Sequence, residues 1–367
     1  MDKLEELFLK EQYSIPKVEK DRLLLDVLNT LTQSHYERCV SYTRIIDNLY
    51  NSKAAWPCDA LSKIPYLPVR LFKRAGLHSL KKEEIFKTLT SSGTTSQQPS
   101  MIYLDKETSM MQTKALAAIV TSFIGKKRLP MILIDSSATL KNRVMFSARG
   151  AGVLGMSFFG RDHFYALDEN MRLDQNGLAK FLEKYKNETI LLFGFTFMIW
   201  QYFYQELKKM NAKIRFKDAV LIHGGGWKTL TDQAISNDDF KHTLFEQLGI
   251  SKIYNYYGMV EQVGGIYMEC EEGFFHTPNF SEVLIRDYRN WESLPVGKPG
   301  IIQTLSVLSR SYPGHSLLTE DIGTIYGIDD CSCGRRGTYF LIEGRVPQAE
   351  LRGCSDTHAQ SIKPPHE

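Results

Sequence analysis

One cysteine near the C-terminus has the sequence environment of a reactive group. Cys354 lies in the polar segment LRGCSDTHAQ, flanked by glycine and serine, and no hydrophobic segment follows it. A structural cysteine behaves as a small hydrophobic residue and packs among apolar neighbours. A thiolate that substrates can reach is instead a nucleophile for covalent catalysis. The position favours this reactive role for Cys354; a spare exposed thiol is the alternative.

A second group of thiols is accompanied by a histidine. Cys270 and His276 are near neighbours in sequence, and Cys331 and Cys333 form a C-x-C pair in CSCGR. Three thiolates and one imidazole are a complete ligand set for tetrahedral Zn²⁺. Because protein groups would fill all four positions, we predict a closed, structural zinc site. Unconnected thiols in a β-rich region are the alternative.

A hydroxyl-rich loop is the first candidate for binding phosphate. The segment TSSGTTS (90–96) surrounds one glycine with hydroxyl side chains. Its hydroxyl and backbone N–H groups can form a concave anion site, and the glycine allows a tight turn. The residues predicted to contact the nucleotide here are Ser91, Ser92, Gly93, Thr94 and Thr95. No lysine follows at the spacing of a P-loop, and a polar surface loop is the alternative.

A G-x-G-x-x-G match at Gly150–Gly155 does not indicate a dinucleotide site. Such a site needs a hydrophobic strand that runs directly into the glycines. The preceding residues, KNRVMFSAR, are more typical of the start of a helix. We therefore expect small residues that allow a helix to pack closely.

The elements that must position these groups alternate between helix and strand. Four short apolar strands are predicted between helical stretches: PMILID, TILLFGF, DAVLIHGGG and KIYNYYG. This alternation is typical of an α/β fold with a parallel or mixed sheet. Helical periodicity predicts helix from about Lys20 to Tyr50, and shorter strands separated by turns predict a mainly β subdomain at about 270–345.

The order of four further motifs carries a family resemblance. HGGGWKT, YYGMVE, LTEDIG and IEGR follow the hydroxyl loop in that order along the chain. In this order they resemble the adenylate-forming superfamily of acyl-CoA synthetases, peptide-synthetase adenylation domains and luciferases. The resemblance implies the large N-terminal domain of that fold, with α/β subdomains plus a small β subdomain.

The resemblance also implies a role for individual residues in binding ATP and Mg²⁺. Tyr257, followed by Gly258, would stack on adenine, and Glu261 would hold Mg²⁺. Asp321 would bind the ribose hydroxyls, with Arg345 near ribose or phosphate. The backbone of Gly224, Gly225 and Gly226 would form a flat wall against adenine, since glycine lets backbone approach closely.

Two positions depart from the superfamily pattern. Val260 replaces the usual threonine before the metal-binding glutamate, and Glu320 replaces the usual glycine before the ribose-binding aspartate. Val260 removes a hydroxyl that could have contacted the nucleotide. The expected roles of Asp321 and Glu261 are therefore firmer than those of their neighbours.

A closer resemblance covers nearly the whole chain. The segments TSSGT, GGGWKT and EDIG, with the C-terminal pattern R-x4-E-x2-GCS from Arg345 to Ser355, are similar to the long-chain acyl-protein synthetases of the LuxE type. The resemblance implies that Cys354 is the acylation site and that Lys228 is a cation near the phosphates. A surface lysine is the alternative for Lys228.

The predicted organisation follows from this resemblance. Residues 1–345 would form the adenylate-forming domain, and residues 346–367 a flexible tail that carries Cys354. Only 22 residues follow Arg345, so we expect no C-terminal mobile domain of the kind that hands an acyl group to coenzyme A. A tethered thiol would instead attack the acyl-adenylate at high effective concentration.

The expected function is therefore ATP-dependent loading of a long-chain fatty acid onto Cys354. The resemblance implies delivery to an acyl-CoA-reductase-like partner subunit. Two alternatives remain open from the sequence: an acyl- or aryl-CoA ligase of the phenylacetate type, and a non-catalytic protein that inherited the fold. The aromatic segment FGFTFMIWQYFY is either part of an apolar substrate pocket or simple core.

Composition limits the other partners. A formal net charge of +3 over 367 residues does not favour nucleic acid or an anionic membrane surface. The longest apolar run, TILLFGFTFMIW, is too short to span a bilayer. The acidic, amphipathic N-terminus is unlike a signal peptide, and we expect a cytoplasmic protein whose six cysteines are thiols or metal ligands.

Overall fold

The structure is a computed structural model that describes residues 3–50, 57–91, 99–140, 145–212, 214–227 and 235–346. The helices, in chain order, are α1 (Lys3–Leu9), α2 (Lys17–Arg38), α3 (Val40–Tyr50), α4 (Lys106–Ile124), α5 (Ala148–Ser157), α6 (Gln175–Lys184), α7 (Thr196–Met198), α8 (Gln205–Lys209) and α9 (Asn237–Leu248). A π-helix (Ile199–Tyr204) lies between α7 and α8.

The described strands include nearly all of those predicted. In chain order they are β1 (Leu67–Pro68), β2 (Lys87–Thr90), β3 (Met101–Leu104), β4 (Leu129–Ser136), β5 (Met145–Ser147), β6 (Gly160–Leu167), β7 (Ile190–Phe195), β8 (Ala219–Gly224), β9 (Lys252–Tyr257), β10 (Tyr267–Glu269), β11 (Phe275–His276), β12 (Ser281–Arg286), β13 (Gly300–Ser306), β14 (Ser316–Ile328) and β15 (Thr338–Arg345).

The chain divides into two compact units. The parallel-sheet unit is built on residues Phe123–Tyr257, and the mixed-sheet unit on the described residues up to Ser91, on residues 99–122 and on residues 258–346. The predicted boundary between 345 and 346 stays a prediction, because residues 347–367 lie outside the described residues.

The parallel-sheet unit contains the four strands predicted from apolar runs. Its strand order is β9-β8-β7-β4-β6, and each neighbouring pair is parallel. Every residue of β4, β7 and β8 is buried, as expected for parallel strands covered on both faces. The edge strand β6 was not predicted, because its exposed polar residues break the apolar pattern.

The mixed-sheet unit contains the β-rich region predicted near residues 270–345. Its strand order is β12-β13-β14-β15-β11-β10, with antiparallel neighbours, and β1 adds to β14 in parallel. One of the shorter strands predicted in this region, GTIYGI (residues 323–328), is only the second half of a 13-residue strand, β14. Polar residues around 316–320 hid the first half from the sequence analysis.

The N-terminal helical prediction needs one correction. The segment from Lys20 to Tyr50 forms two helices, α2 and α3, because Cys39 between them has an extended backbone (φ −117°, ψ 96°). Hydrophobic periodicity continues across the break, so the pattern alone did not reveal it. Among the described helices, none is both long enough and apolar enough to cross a membrane.

Two stacked histidines are buried where α2 meets the mixed-sheet unit. The rings of His35 and His315 are 5.1 Å apart, centroid to centroid. Nδ1 of His35 lies 2.8 Å from Oγ of Ser79, and Nε2 lies 2.9 Å from the Ser309 carbonyl. Burial lowers the pKa of His35 to about 3, and it also lowers the pKa of His315.

This burial predicts acid sensitivity. An unfolded histidine takes up a proton below its ordinary pKa of about 6.5, whereas native His35 stays neutral down to about pH 3. Stability therefore falls as pH decreases between these two values, by about 2 kcal/mol for this one group between pH 7 and pH 5. We expect His35→Gln to remove that part of the pH dependence in urea-unfolding measurements. If the free energy of unfolding depends on pH equally in the variant and in the parent protein, the prediction is contradicted.

Candidate functional site

The predicted ribose-binding residue lies beside the predicted hinge arginine. Asp321 of β14 is directly opposite Arg345 of β15 in the antiparallel register. Nε of Arg345 is 3.1 Å from Oδ1 of Asp321. The structure therefore brings together two residues that the motif order predicted to share a site.

Glu320 extends this pair into a row of four charged side chains. Its Oε1 accepts from Nε and Nη2 of Arg70 at 2.8 Å and 2.6 Å. Its Oε2 lies 3.5 Å from Nη2 of Arg345. One carboxylate thus bridges two guanidinium groups, with one oxygen toward each.

The register of β14 explains why these residues meet. One edge of β14 is occupied by β13, which pairs with residues from Ser316 to Gly323. The other edge is shared: β1 pairs with Leu317 and Leu318, and β15 pairs with residues from Asp321 onward. The change of partner falls between Leu318 and Asp321. Glu320 lies there, so it can contact side chains that follow β1 and that end β15.

Arg70 is a member of this charged row that the sequence analysis did not predict. Pro68 pairs with Leu318 in the parallel β1–β14 register, and Arg70 and Glu320 each lie two residues further along. Alternate residues of a strand point to the same face, which is consistent with their contact although Arg70 lies in a short 3-10 helix. The sequence did contain a signal for this contact. Glu320 stands where the superfamily usually has glycine, and its carboxylate brings a charge that Arg70 pairs with.

The predicted Mg²⁺ ligand is a buried carboxylate. Glu261 lies in a short 3-10 helix (Val260–Gln262) and is 3% exposed. The adjacent Gln262 donates from Nε2 to the carbonyls of Thr304 and Gly314 at 3.2 Å and 2.8 Å. This side-chain anchor fixes the turn that presents Glu261.

The hydroxyl-rich loop connects two antiparallel strands. β2 pairs with β3, and the loop between them begins at Ser91. Oγ of Ser91 accepts from the Ser100 N–H at 2.8 Å, and the Ser91 N–H donates to the Ser100 carbonyl at 3.1 Å. Ser91 and Ser100 are therefore bonded to each other just beyond the paired strands β2 and β3. The other predicted loop residues (Ser92, Gly93, Thr94 and Thr95) lie outside the described residues.

The three glycines after β8 have different surroundings. A Cβ at Gly224 would lie 2.5 Å from the ring of Tyr256, so this glycine makes room for an aromatic side chain. Gly225 has a φ of +76°, and among the described residues, chain neighbours aside, none has a heavy atom within 4 Å of a Cβ added at Gly226. Gly225 and Gly226 are exposed, whereas Gly224 is buried, and the adenine wall expected from all three stays a prediction. Tyr257 ends β9 and is half-buried.

Aromatic side chains fill the interior of the parallel-sheet unit near these glycines. The rings of Trp200 and Trp227 are 5.6 Å apart, and Phe240 lies 4.7 Å from the ring of His223. Nδ1 of His223 is 2.9 Å from Oγ1 of Thr196. The predicted aromatic segment thus contributes buried residues to this core.

The G-x-G-x-x-G match lies within a helix, as predicted. Gly150–Gly155 belong to α5, and Ser147 caps the helix by accepting from the Gly150 N–H at 3.1 Å. The three-residue strand β5 precedes the helix, but the glycines do not form the intervening turn. A Cβ at Gly152 would lie 3.1 Å from the ring of Phe195, so the glycine allows close packing.

The four predicted zinc ligands converge in the mixed-sheet unit. The ligand atoms of Cys270, His276, Cys331 and Cys333 all lie within 4.8 Å of one another. Cys270 directly follows β10, His276 ends β11, and the other two ligands lie in the turn between β14 and β15. All five described cysteines are free thiols. Lys228 and Cys354 lie outside the described residues.

The fold is that of the adenylate-forming ligases, which confirms the predicted fold class. A crystal structure of 2-hydroxyisobutyryl-CoA ligase in an open conformation, with 2-HIB-AMP and CoA, matches with a TM-score of 0.66 and 16% identity. The match covers 90% of this chain and 76% of the ligase. The same ligase in its thioesterification state matches with a TM-score of 0.67, over 91% of this chain and 70% of the ligase.

Within this class, the chain belongs to the LuxE acyl-protein synthetase family, whose model matches residues 6–363, and it is a ligase. A long-chain-fatty-acid–luciferin-component ligase from Aliivibrio fischeri is 24% identical, over 99% of this chain and 93% of the relative. A ligase of the same name from Vibrio harveyi is 22% identical, over 96% of this chain and 91% of the relative.

The glycines after β8 give a matched pair of variants. Gly224→Ala places a methyl group against the Tyr256 ring, so we expect a loss of stability of about 1–3 kcal/mol from overpacking. The methyl group of Gly226→Ala would contact none of the described residues beyond its chain neighbours, and we expect its melting temperature to stay close to that of the parent protein. Thermal unfolding of both variants tests this contrast, and equal melting temperatures for the two would contradict it.

Proposed function

We propose that this ligase activates a long-chain fatty acid with ATP and then carries the acyl group on its own Cys354. In the first step, a carboxylate oxygen of the fatty acid attacks the α-phosphorus of ATP, and pyrophosphate leaves. In the second step, the Cys354 thiolate attacks the acyl carbon, AMP leaves, and a thioester forms. The thiol proton passes to solvent before the attack. An acyl reductase subunit would then receive the acyl group.

The observation that carries the proposal is the row of charged residues at the point where β14 changes partners. Asp321 and Arg345 are fixed opposite each other by the sheet register, so the carboxylate proposed to bind ribose needs little reorganisation. Preorganised polar groups of this kind are the main source of electrostatic stabilisation in enzyme sites. The family supports the acyl-protein synthetase chemistry, and the names of the two relatives support a long-chain fatty acid as the substrate.

Glu261 is the residue proposed to hold Mg²⁺. Carboxylate oxygens are the ligands that Mg²⁺ prefers in sites that also bind substrate phosphates. When bound, Mg²⁺ offsets the negative charge of the phosphate groups during attack by a carboxylate. Burial of Glu261 fits this role, because a buried carboxylate needs compensation by a cation, a proton or hydrogen bonds.

The start of the tail supports the assignment of Cys354. The Val346 N–H donates to the carbonyl of Glu320 at 2.9 Å, so the chain leaves the sheet beside Asp321. Cys354 follows Val346 by eight residues. An extended chain of that length reaches about 28 Å, which is enough to bring the thiol to an adenylate bound near Asp321.

A Cys354→Ser variant tests the second step separately from the first. We expect this variant to catalyse ATP–pyrophosphate exchange with a long-chain fatty acid at the parent rate. After incubation with labelled fatty acid and ATP, it should carry less than about a tenth of the hydroxylamine-sensitive label of the parent protein, because no thiolate is available at this position.

Cys58→Ser is the matched control, because it removes a buried thiol that is outside the proposed site. It should label normally. Normal labelling of Cys354→Ser would contradict the acylation site while leaving adenylation intact. Turnover that depends on coenzyme A and is retained in Cys354→Ser would favour the acyl-CoA ligase alternative.

The charged row gives a second prediction. Glu320→Gln keeps the shape of the side chain but removes the charge that holds Arg70 and Arg345. We expect the KM for ATP in the exchange reaction to rise about tenfold, which corresponds to about 1.4 kcal/mol. Exposed Glu292→Gln, in the same unit, is the control and should leave KM unchanged. An unchanged KM in Glu320→Gln would show that the row does not contribute to nucleotide binding.

A further inference from the structure

We propose that Cys270, His276, Cys331 and Cys333 bind one structural Zn²⁺. In this proposal the ion also anchors the N-terminal segment, residues 13–20, to the strands and the turn that supply the ligands. The proposal is independent of the adenylation chemistry. It rests on two observations about described residues: the ligand atoms converge, and residues near the ligands in sequence hydrogen-bond to residues 13–20.

The separations between ligand atoms are close to those around a tetrahedral ion. Zn–S bonds of about 2.3 Å and a Zn–N bond of about 2.0 Å place ligand atoms about 3.5–3.8 Å from one another. Sγ of Cys270 lies 4.0 Å from Sγ of Cys331. Sγ of Cys333 lies 3.4 Å from Nε2 of His276. Small movements of these side chains would complete the coordination.

The donor set and its surroundings favour zinc. Three thiolates with one neutral imidazole are a common structural Zn²⁺ set, and binding releases the three thiol protons to solvent. The ion with these ligands carries one net negative charge. The guanidinium of Arg335 supplies a positive charge, and it is held next to the loop by Glu271, to which its Nη2 donates at 3.3 Å.

Two ligands lie in a loop that is closed at its neck. Asp329 and Gly337 bracket Cys331 and Cys333: the Asp329 N–H donates to the Gly337 carbonyl at 2.9 Å, and the Gly337 N–H donates to Oδ1 of Asp329 at 2.7 Å. Within the loop, the Gly334 N–H donates to the Cys331 carbonyl at 2.9 Å. An ion bound by both cysteines would fix the whole loop.

The same loop holds the beginning of the N-terminal segment. The Lys17 N–H, at the start of α2, donates to Oδ2 of Asp329 at 2.9 Å. The Arg336 N–H donates to the carbonyl of Tyr13 at 2.8 Å. The ring of Tyr13 lies edge-on to His276, with centroids 6.1 Å apart. A ligand side chain and the ligand loop therefore both contact this segment.

A second attachment lies directly after the histidine ligand. Nζ of Lys20 donates to Oγ1 of Thr277 at 2.7 Å and lies 3.0 Å from the carboxylate of Glu282. The Tyr13 N–H donates to Oδ1 of Asn279 at 3.2 Å. Because Thr277 and Asn279 continue the chain from His276, the position of this ligand also sets the position of the N-terminal segment.

Metal analysis and hydrogen exchange together test the proposal. We expect about one zinc ion per chain in the purified full-length protein by plasma mass spectrometry. Zinc is removed with a chelator and a thiol-blocking mercurial, and excess thiol then displaces the mercurial. We expect this treatment to speed amide hydrogen exchange at least tenfold in peptides covering residues 10–25 and 326–340. Peptides from β4 and β7 should remain unchanged, and added Zn²⁺ should restore protection.

Variants provide the control and the opposing outcomes. Cys333→Ser should lose most of the zinc, whereas Cys58→Ser, which removes another thiol in the same unit, should retain it. If Cys333→Ser does not fold, the chelation experiment on the parent protein decides. Purified protein without zinc would overturn the metal site. Faster exchange at 326–340 with no change at 10–25, or equal loss of protection at β4 and β7, would overturn the anchoring role.

Discussion

The arrangement of the nucleotide-site candidates depends on the sharing of one strand edge. β14 is longer than either of the strands that lie on its second edge, so β1 and β15 occupy that edge in succession. Between the end of β1 and the beginning of β15, backbone hydrogen bonds do not make all the contacts of this edge, and side chains make the others. Glu320 and Asp321 are at this position, with Arg70 on one side and Arg345 on the other.

This constraint connects distant parts of the sequence. Arg70 comes from the N-terminal segment, Glu320 and Asp321 from the middle of β14, and Arg345 from the last described strand. Because the Val346 N–H is bonded to the Glu320 carbonyl, the start of the tail is fixed by the same strand. The residues proposed to bind the nucleotide and the last described residue before the tail are therefore positioned by one local register.

The secondary structure was largely predictable because local patterns determined it. Apolar runs predicted β4, β7, β8 and β9, and the first three are buried throughout, as parallel strands covered on both faces are. The hydrophobic patterns did not predict a strand that is only partly buried, or a helix break that leaves the hydrophobic pattern unchanged. The edge strand β6 has exposed polar residues, and the α2–α3 break at Cys39 lies within a continuous helical pattern.

By itself, the sequence determined the family and the fold class and indicated candidate site residues, because motif order and spacing are properties of the chain. Only the tertiary structure decided which residues meet. The pairing of Arg70 with Glu320 arises from a parallel register between segments that are far apart in sequence. The convergence of the two halves of the thiol and histidine cluster arises from the antiparallel neighbours β11 and β15. Such contacts depend on strand register, which no local pattern in the sequence specifies.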